Sequence, residues 1–226
     1  MTLNFSTSEE NYLKTIFHLQ LKQENVTTNA VAEKLNTRPA SVTDMMKKLN
    51  AKKLLHYKPY YGFYLSTEGK KIALSIIRRH RLWEYFLSEK LKFDWNEVHE
   101  VAEELEHVSS KKLIDKLDEY LNFPQFDPHG DPIPDNKGKI RTVNKFHLLE
   151  LPLNQQAEVC QVSNHSEELL ELLKHKKISI GTKLEVKKHF DFDHSIEVKI
   201  KSGPVTNISE QLAQNIFVVY ELQGKS

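Results

Sequence analysis

The chain has 226 residues, 39% of them hydrophobic, a formal net charge of +1 and one cysteine, Cys160. That apolar content supports one large folded domain or two to three small ones, and a lone cysteine excludes an internal disulfide and a thiol-rich zinc site. No apolar run approaches the roughly 20 residues that span a bilayer, and Met1 to Ser6 lacks the basic and apolar stretches of a secretion signal, so the expected compartment is the cytoplasm.

The small net charge hides a division. Residues 1–79 hold 13 Lys and Arg against 6 Asp and Glu, whereas the remainder holds 19 against 25. A basic N-terminal third on an acidic remainder suits a nucleic-acid-binding module joined to a cation-binding or oligomerising one.

From Ser8 to Leu21, Tyr12, Leu13, Ile16, Phe17 and Leu19 form a 3.6-period stripe behind a Ser/Thr cap, with Glu9 and Glu10 in the first turn. A short helix is predicted over Thr28 to Leu35. Asn36-Thr37-Arg38-Pro39 breaks it, and a third helix begins with Pro39 in its first turn. This is a helix-turn-helix pattern. Leu54 to Pro59 and Gly62 to Ser66 read as two strands around Tyr60-Tyr61-Gly62, the wing of a winged helix. Base contacts would come from the start of the third helix and phosphate contacts from the wing. The residues placed for this are Thr37, Arg38, Pro39, Ala40, Ser41, Thr43, Asp44, Lys47 and Lys48 on the helix, with Lys58 and Tyr60 in the wing.

A long helix follows from Ser66, carrying His80 and Glu84 four residues apart. A further helix is predicted over Asn96 to Lys111, where His99, Glu103, Glu106 and His107 recur at spacings of four, three and one. On a helix these four fall within an arc of roughly 100°. Imidazole and carboxylate without thiol suit a divalent ion such as manganese, ferrous iron or zinc. Pro124, Pro128, Pro132 and Pro134, with Gly130 and Gly138, mark an extended linker near 125–147. Beyond it Ala157 to Val162, Lys183 to Lys187, Ser195 to Ile200 and Ile216 to Tyr220 alternate as strands, with a short helix from Ser166 to His175. The expected fold class is α+β, ending in a small β-barrel.

Together, Ser8 to Ile16, Ala40-Ser41-Val42-Thr43, Arg79 to Glu84, Val98 to His107 and the loop His129-Gly130-Asp131-Pro132-Ile133-Pro134 resemble the diphtheria-toxin-repressor and manganese-transport-regulator family. The resemblance spans nearly the whole chain. It implies a winged helix-turn-helix domain over 1–74, a helical metal-binding and dimerisation domain over 75–124, a Pro-rich linker over 125–147 and an SH3-like, FeoA-like barrel over 148–226. It also implies a cytoplasmic homodimer that binds a pseudo-palindromic DNA operator when metal is abundant and represses metal-uptake genes. Glu103, Glu106 and His107 fall on the family's main metal site, with Asn11 completing it; His80, Glu84 and His99 fall on an ancillary site, to which His165 or Glu167 of the barrel would lend a ligand, and His80 would also be placed to bridge towards the main site, as in similar manganese regulators.

Two departures bear on the metal. Glu103 stands where the iron-responsive branch has a cysteine, which favours Mn2+ over Fe2+, Zn2+ or Co2+. Asn11 and Lys14 stand where the manganese branch has carboxylates, and an ammonium cannot ligate. An iron(II)-responsive repressor is the alternative within the family. A carboxylate-bridged metalloenzyme and a zinc-stabilised DNA-binding protein are the rivals outside it, but no catalytic triad, nucleophile elbow or phosphate loop is present, so no enzymatic activity is expected.

Overall fold

The structure, a computed structural model, describes residues 5–22, 25–58, 62–108, 110–201 and 203–220. It resolves into two compact units, each discontinuous in sequence: residues 1–80, 103–117 and 134–140 form the first, and 81–102, 118–133 and 141–226 the second.

The first unit opens with α1 (Thr7–Lys22). Its start is set by a reciprocal cap in which Ser6 Oγ accepts from Glu9 N at 3.3 Å while Ser6 N donates to Glu9 Oε2 at 3.0 Å. The predicted stripe does face inward, with Tyr12, Leu13, Ile16 and Phe17 buried. Next come α2 (Thr28–Lys34), capped by the Thr27 hydroxyl, and α3 (Pro39–Ala51), whose first residue is the proline that cannot donate and there need not. Val42, Met46 and Leu49 anchor α3 in a core shared with α1, α2 and the start of α4 (Thr67–Glu89). The wing is an antiparallel pair, β1 (Leu55–Lys58) and β2 (Gly62–Leu65), in the register Leu55 to Leu65 through Lys58 to Gly62. Val26 adds a bridge to Phe63, and a Cβ at position 62 would lie 2.4 Å from the Val26 carbonyl oxygen, so only glycine allows that approach.

The helix expected over Asn96 to Lys111 is interrupted. Helix α5 spans Val98–Leu105 and α6 spans Lys111–Tyr120, with Glu106 and His107 in the turn between them. Two contacts fix the break: Arg79 Nε donates to the Glu106 carbonyl, and Ser110 Oγ accepts from Leu113 N at 3.4 Å to restart the helix.

In the second unit, β3 (Phe146–His147), β4 (Gln156–Val162), β5 (Lys183–His189), β6 (Ile196–Ile200), β7 (Val205–Ile208) and β8 (Ile216–Val219) form one antiparallel SH3-like sheet in the order β3-β8-β4-β5-β6-β7. Helix α7 (Glu167–His175) and the single turn α8 (Glu210–Ala213) cover a core that includes Leu148, Val159, Leu170, Val186, Val198 and Val218. The Pro-rich segment is more than a tether. Asp127, His129 and Ile133 within it are buried, and residues 126 and 132 pair across a tight hairpin.

Candidate metal centres and nucleic-acid interface

The first unit gathers one cluster from α1, α4 and the end of α5. Lys14 Nζ lies 2.6 Å from Glu103 Oε1 and 2.7 and 2.8 Å from the two carboxylate oxygens of Glu106. His80 Nδ1 is 2.7 Å from Glu106 Oε2 and 4.0 Å from Glu103 Oε1. His107 Nδ1 meets Glu10 Oε2 at 2.7 Å, and Arg79 Nη2 donates to Glu10 Oε1 at 2.8 Å. The Glu106 side chain is wholly buried. Burial alone would raise its pKa, yet the hydrogen bond from His80 and the Lys14 ammonium hold it below the ordinary carboxylate value.

Glu103, Glu106 and His107 therefore do come together, and on α1 the Asn11 Oδ1 is buried with no hydrogen-bond partner among the described residues while Glu10 makes the close contact to His107. Asn11 sits one residue, and so about 100°, around the helix from Glu10. It lines an open cavity with Thr7, Tyr12, Leu35, Thr37 and Ser41, while Glu10 takes the place beside His107. His80, grouped from the sequence with Glu84 and His99 but also expected to be able to bridge towards the main site, has Glu106 as its close carboxylate in this unit. Nor does the cluster fit an added divalent ion while Lys14 stands in it. A +1 and a +2 charge about 3 Å apart repel by on the order of 10 kcal/mol even at an effective dielectric of 20.

The second unit holds a different cluster, two members of which the sequence reading missed. Donor atoms of Glu84, Asp127 and His129 all lie within 4.8 Å of one another, and all three residues are buried. His129 Nε2 is 2.8 Å from the Trp95 carbonyl oxygen, which makes that nitrogen the donor and leaves Nδ1 to face the carboxyl groups. Nδ1 is buried, 3.9 Å from Glu84 Oε1, and has no hydrogen-bond partner among the described residues. Asp127 Oδ1 accepts from His129 N at 2.8 Å and Asp131 N at 2.9 Å; its Oδ2 accepts no hydrogen bond among the described residues, with Arg81 Nε 3.5 Å away.

Nearby, His99 Nδ1 lies 3.2 Å from Glu84 Oε1, and the His165 ring stacks on that of His129 at 4.2 Å. Glu167 is exposed in the first turn of α7. Burial, reinforced by the charges of Glu84 and Asp131, pushes the Asp127 carboxyl well above its usual range. Burial and the neighbouring His129 push His165 down to about 4. Buried carboxyl groups that repel each other, beside an imidazole whose Nδ1 has no hydrogen-bond partner among the described residues, are donors that a divalent cation would satisfy. These residues fit a divalent metal.

The loop that delivers them is shaped by Gly130. Its φ is +83°, and a Cβ there would sit 1.9 Å from the Cys160 carbonyl oxygen. Val162 N then donates to the His129 carbonyl at 3.0 Å, tying the loop to β4. Asp127 and His129 are two residues apart in a Pro-Gly turn, a spacing with no helical periodicity to announce it.

On α3, Arg38, Pro39, Ala40, Ser41, Thr43, Asp44, Lys47 and Lys48 are exposed and Thr37 is half-buried. Asp44 pairs with Lys47 at 3.4 Å, and Lys48 reaches Glu9 at 3.1 Å. Lys58 is exposed in the wing, and Tyr60 lies outside the described residues.

Comparison with known proteins gives these groups a context. Residues 4–63 match the iron dependent repressor N-terminal DNA-binding domain, 66–135 the iron dependent repressor metal-binding and dimerisation domain, and 146–220 the FeoA domain. The regulator MntR of Oceanobacillus iheyensis is 34% identical over 51% of this chain and 78% of its own length. The diphtheria toxin repressor of Corynebacterium efficiens is 27% identical over 78% of this chain and 81% of its own. A solved manganese-dependent transcriptional repressor in complex with manganese superposes with a TM-score of 0.85 at 32% identity, covering 94% of this chain and all of that one. The chain belongs to the diphtheria-toxin-repressor and manganese-transport-regulator family of metal-dependent transcriptional repressors.

Proposed function

We propose that the protein is a manganese-responsive homodimeric repressor that binds a pseudo-palindromic DNA operator in the cytoplasm and controls metal-uptake genes, with its responsive ion held by Glu84, Asp127 and His129. The observation that carries this reading is the buried donor set of the second unit, in which His129 Nδ1 and Asp127 Oδ2 are left without hydrogen-bond partners among the described residues. When bound, a divalent ion would supply the partner that His129 Nδ1 and Asp127 Oδ2 lack among the described residues. The chain does the rest: the Trp95 carbonyl fixes the His129 tautomer, and two backbone N–H groups hold Asp127 Oδ1 so that Oδ2 points the other way. His99 and His165 stand close enough to add a nitrogen each.

Manganese is favoured because the set is carboxylate and imidazole with no thiol, and because MntR and the manganese-bound repressor are among the relatives. DNA binding rests on the exposed polar face of α3 and its lysines, whose phosphate contacts would be salt-sensitive. Exposed Tyr120 and Phe123, at and just after the end of α6, offer apolar surface for a second copy.

The test is selection of a random duplex library on the full chain in Mn2+, followed by gel shift of the enriched fragment. We expect a two-fold symmetric sequence whose affinity falls about 10-fold or more on chelation, within the usual range of allosteric coupling. Ferrous iron and zinc are titrated alongside. Affinity that is indifferent to every ion would sink the reading.

A further inference from the structure

We propose that Lys14 is a built-in counter-ion, one that occupies the cation position of the Glu103/Glu106 cluster and leaves the Glu84, Asp127 and His129 set as the place where metal is sensed. The inference rests on the metal-responsive reading above.

Three observations support it. First, the Lys14 ammonium has three N–H donors, and three carboxylate oxygens stand 2.6, 2.7 and 2.8 Å from its nitrogen. Its hydrogen-bonding capacity is matched by the oxygens a metal would otherwise take. Second, the contact is sheltered. The Lys14 side chain is 12% exposed and that of Glu106 is fully buried, so removing the ammonium would strand a carboxylate without water. Third, the remaining carboxylate, Glu10, already has Arg79 at 2.8 Å and His107 at 2.7 Å. The cluster is charge-compensated from within, whereas in the second unit's set His129 Nδ1 and Asp127 Oδ2 have no hydrogen-bond partner among the described residues.

The tie between α1 and the end of α5 is consequently permanent. In a chain whose first helix offered a carboxylate at position 14, that helix would be drawn in only when an ion arrived; here the sequence supplies the positive charge itself. An ion-dependent latch has become a covalently supplied one, and ion concentration no longer sets it.

The test counts Mn2+ bound per full-length chain by electron paramagnetic resonance of the free ion, with folding checked by circular dichroism. Glu103→Gln, at a partly exposed side chain, should leave the count of the parent protein unchanged. Lys14→Glu should gain one equivalent, and adding Glu103→Gln to it should weaken that gain. Lys14→Met serves the same purpose should the glutamate variant fail to fold. Loss of an equivalent in Glu103→Gln alone, or no gain in a folded Lys14 variant, overturns the proposal. Asp127→Asn separates the two claims. If its count matches the parent's while the Lys14 variants gain an ion, the sensing role of the second unit falls and the counter-ion role of Lys14 stands.

Discussion

Glu9 does two tasks with one carboxylate. Its Oε2 closes the cap at the start of α1, and its Oε1 lies 2.6 Å from Lys52 Nζ and 3.1 Å from Lys48 Nζ, pinning α1 to the C-terminal end of α3. Burial would raise its pKa, but the Lys52 hydrogen bond, the Ser6 amide and Lys48 bring it down from 4.5 to about 2. A carboxylate depressed in the folded state stabilises the fold fully above its unfolded pKa, and the stabilisation fades as pH falls towards the folded value. At about 1.4 kcal/mol per pKa unit, the ceiling is about 3 kcal/mol. Glu9→Gln keeps the cap chemistry and loses the charge. Urea midpoints of the variant should therefore fall below the parent's at pH 7 and converge with them towards pH 2, and an equal gap at both pH values would contradict this account.

Among the elements, the hairpin from 125 to 133 is built around one glycine. Gly130 combines a left-handed φ of +83° with a backbone approach to Cys160 that leaves no room for a methyl group. Gly130→Ala must either open the turn or push β4 away, and we expect it to cost about 2–4 kcal/mol, the range of severe backbone and overpacking changes. Because the turn sets Asp127 beside His129, Mn2+ affinity should drop with stability. Calorimetry together with ion titration checks both, and a variant as stable as the parent would mean that the turn relaxes more easily than its geometry implies. Helix α3 shows the opposite case, an element legible from its residues. Pro39 at its first position and the Val42, Met46 and Leu49 spacing make the predicted helix and leave its polar face outward.

For the molecule as a whole, an ion that binds only the folded chain stabilises it by mass action. At 100 times its dissociation constant the gain is about 2.7 kcal/mol, or roughly 5–10 °C in melting temperature for a chain of this size. A thermal melt with Mn2+ and then with excess chelator should show a rise and its reversal. No shift would mean that the folded chain has no tight ion site. Much of this architecture could be read from the sequence, because helical stripes, strand alternation and the pairing of the wing's two strands are local. The same holds for the carboxylates and imidazoles of α4 and α5. What escaped was set by tertiary packing: Asp127 and His129 reach Glu84 through an aperiodic turn, Glu10 reaches His107 from the next position of α1 beside Asn11, and α5 stops at Leu105 because Arg79 and Ser110 claim its end.

The position of Lys14, between Glu103 and Glu106, also has a genetic consequence. Either lysine codon becomes a glutamate codon by changing its first base. Replacing the internal ammonium with a further carboxylate is thus a single-step mutation, and reversion is equally short. A population carrying this gene would stand one substitution from a regulator with a different metal threshold, and selection on metal supply could move it in either direction without altering the fold.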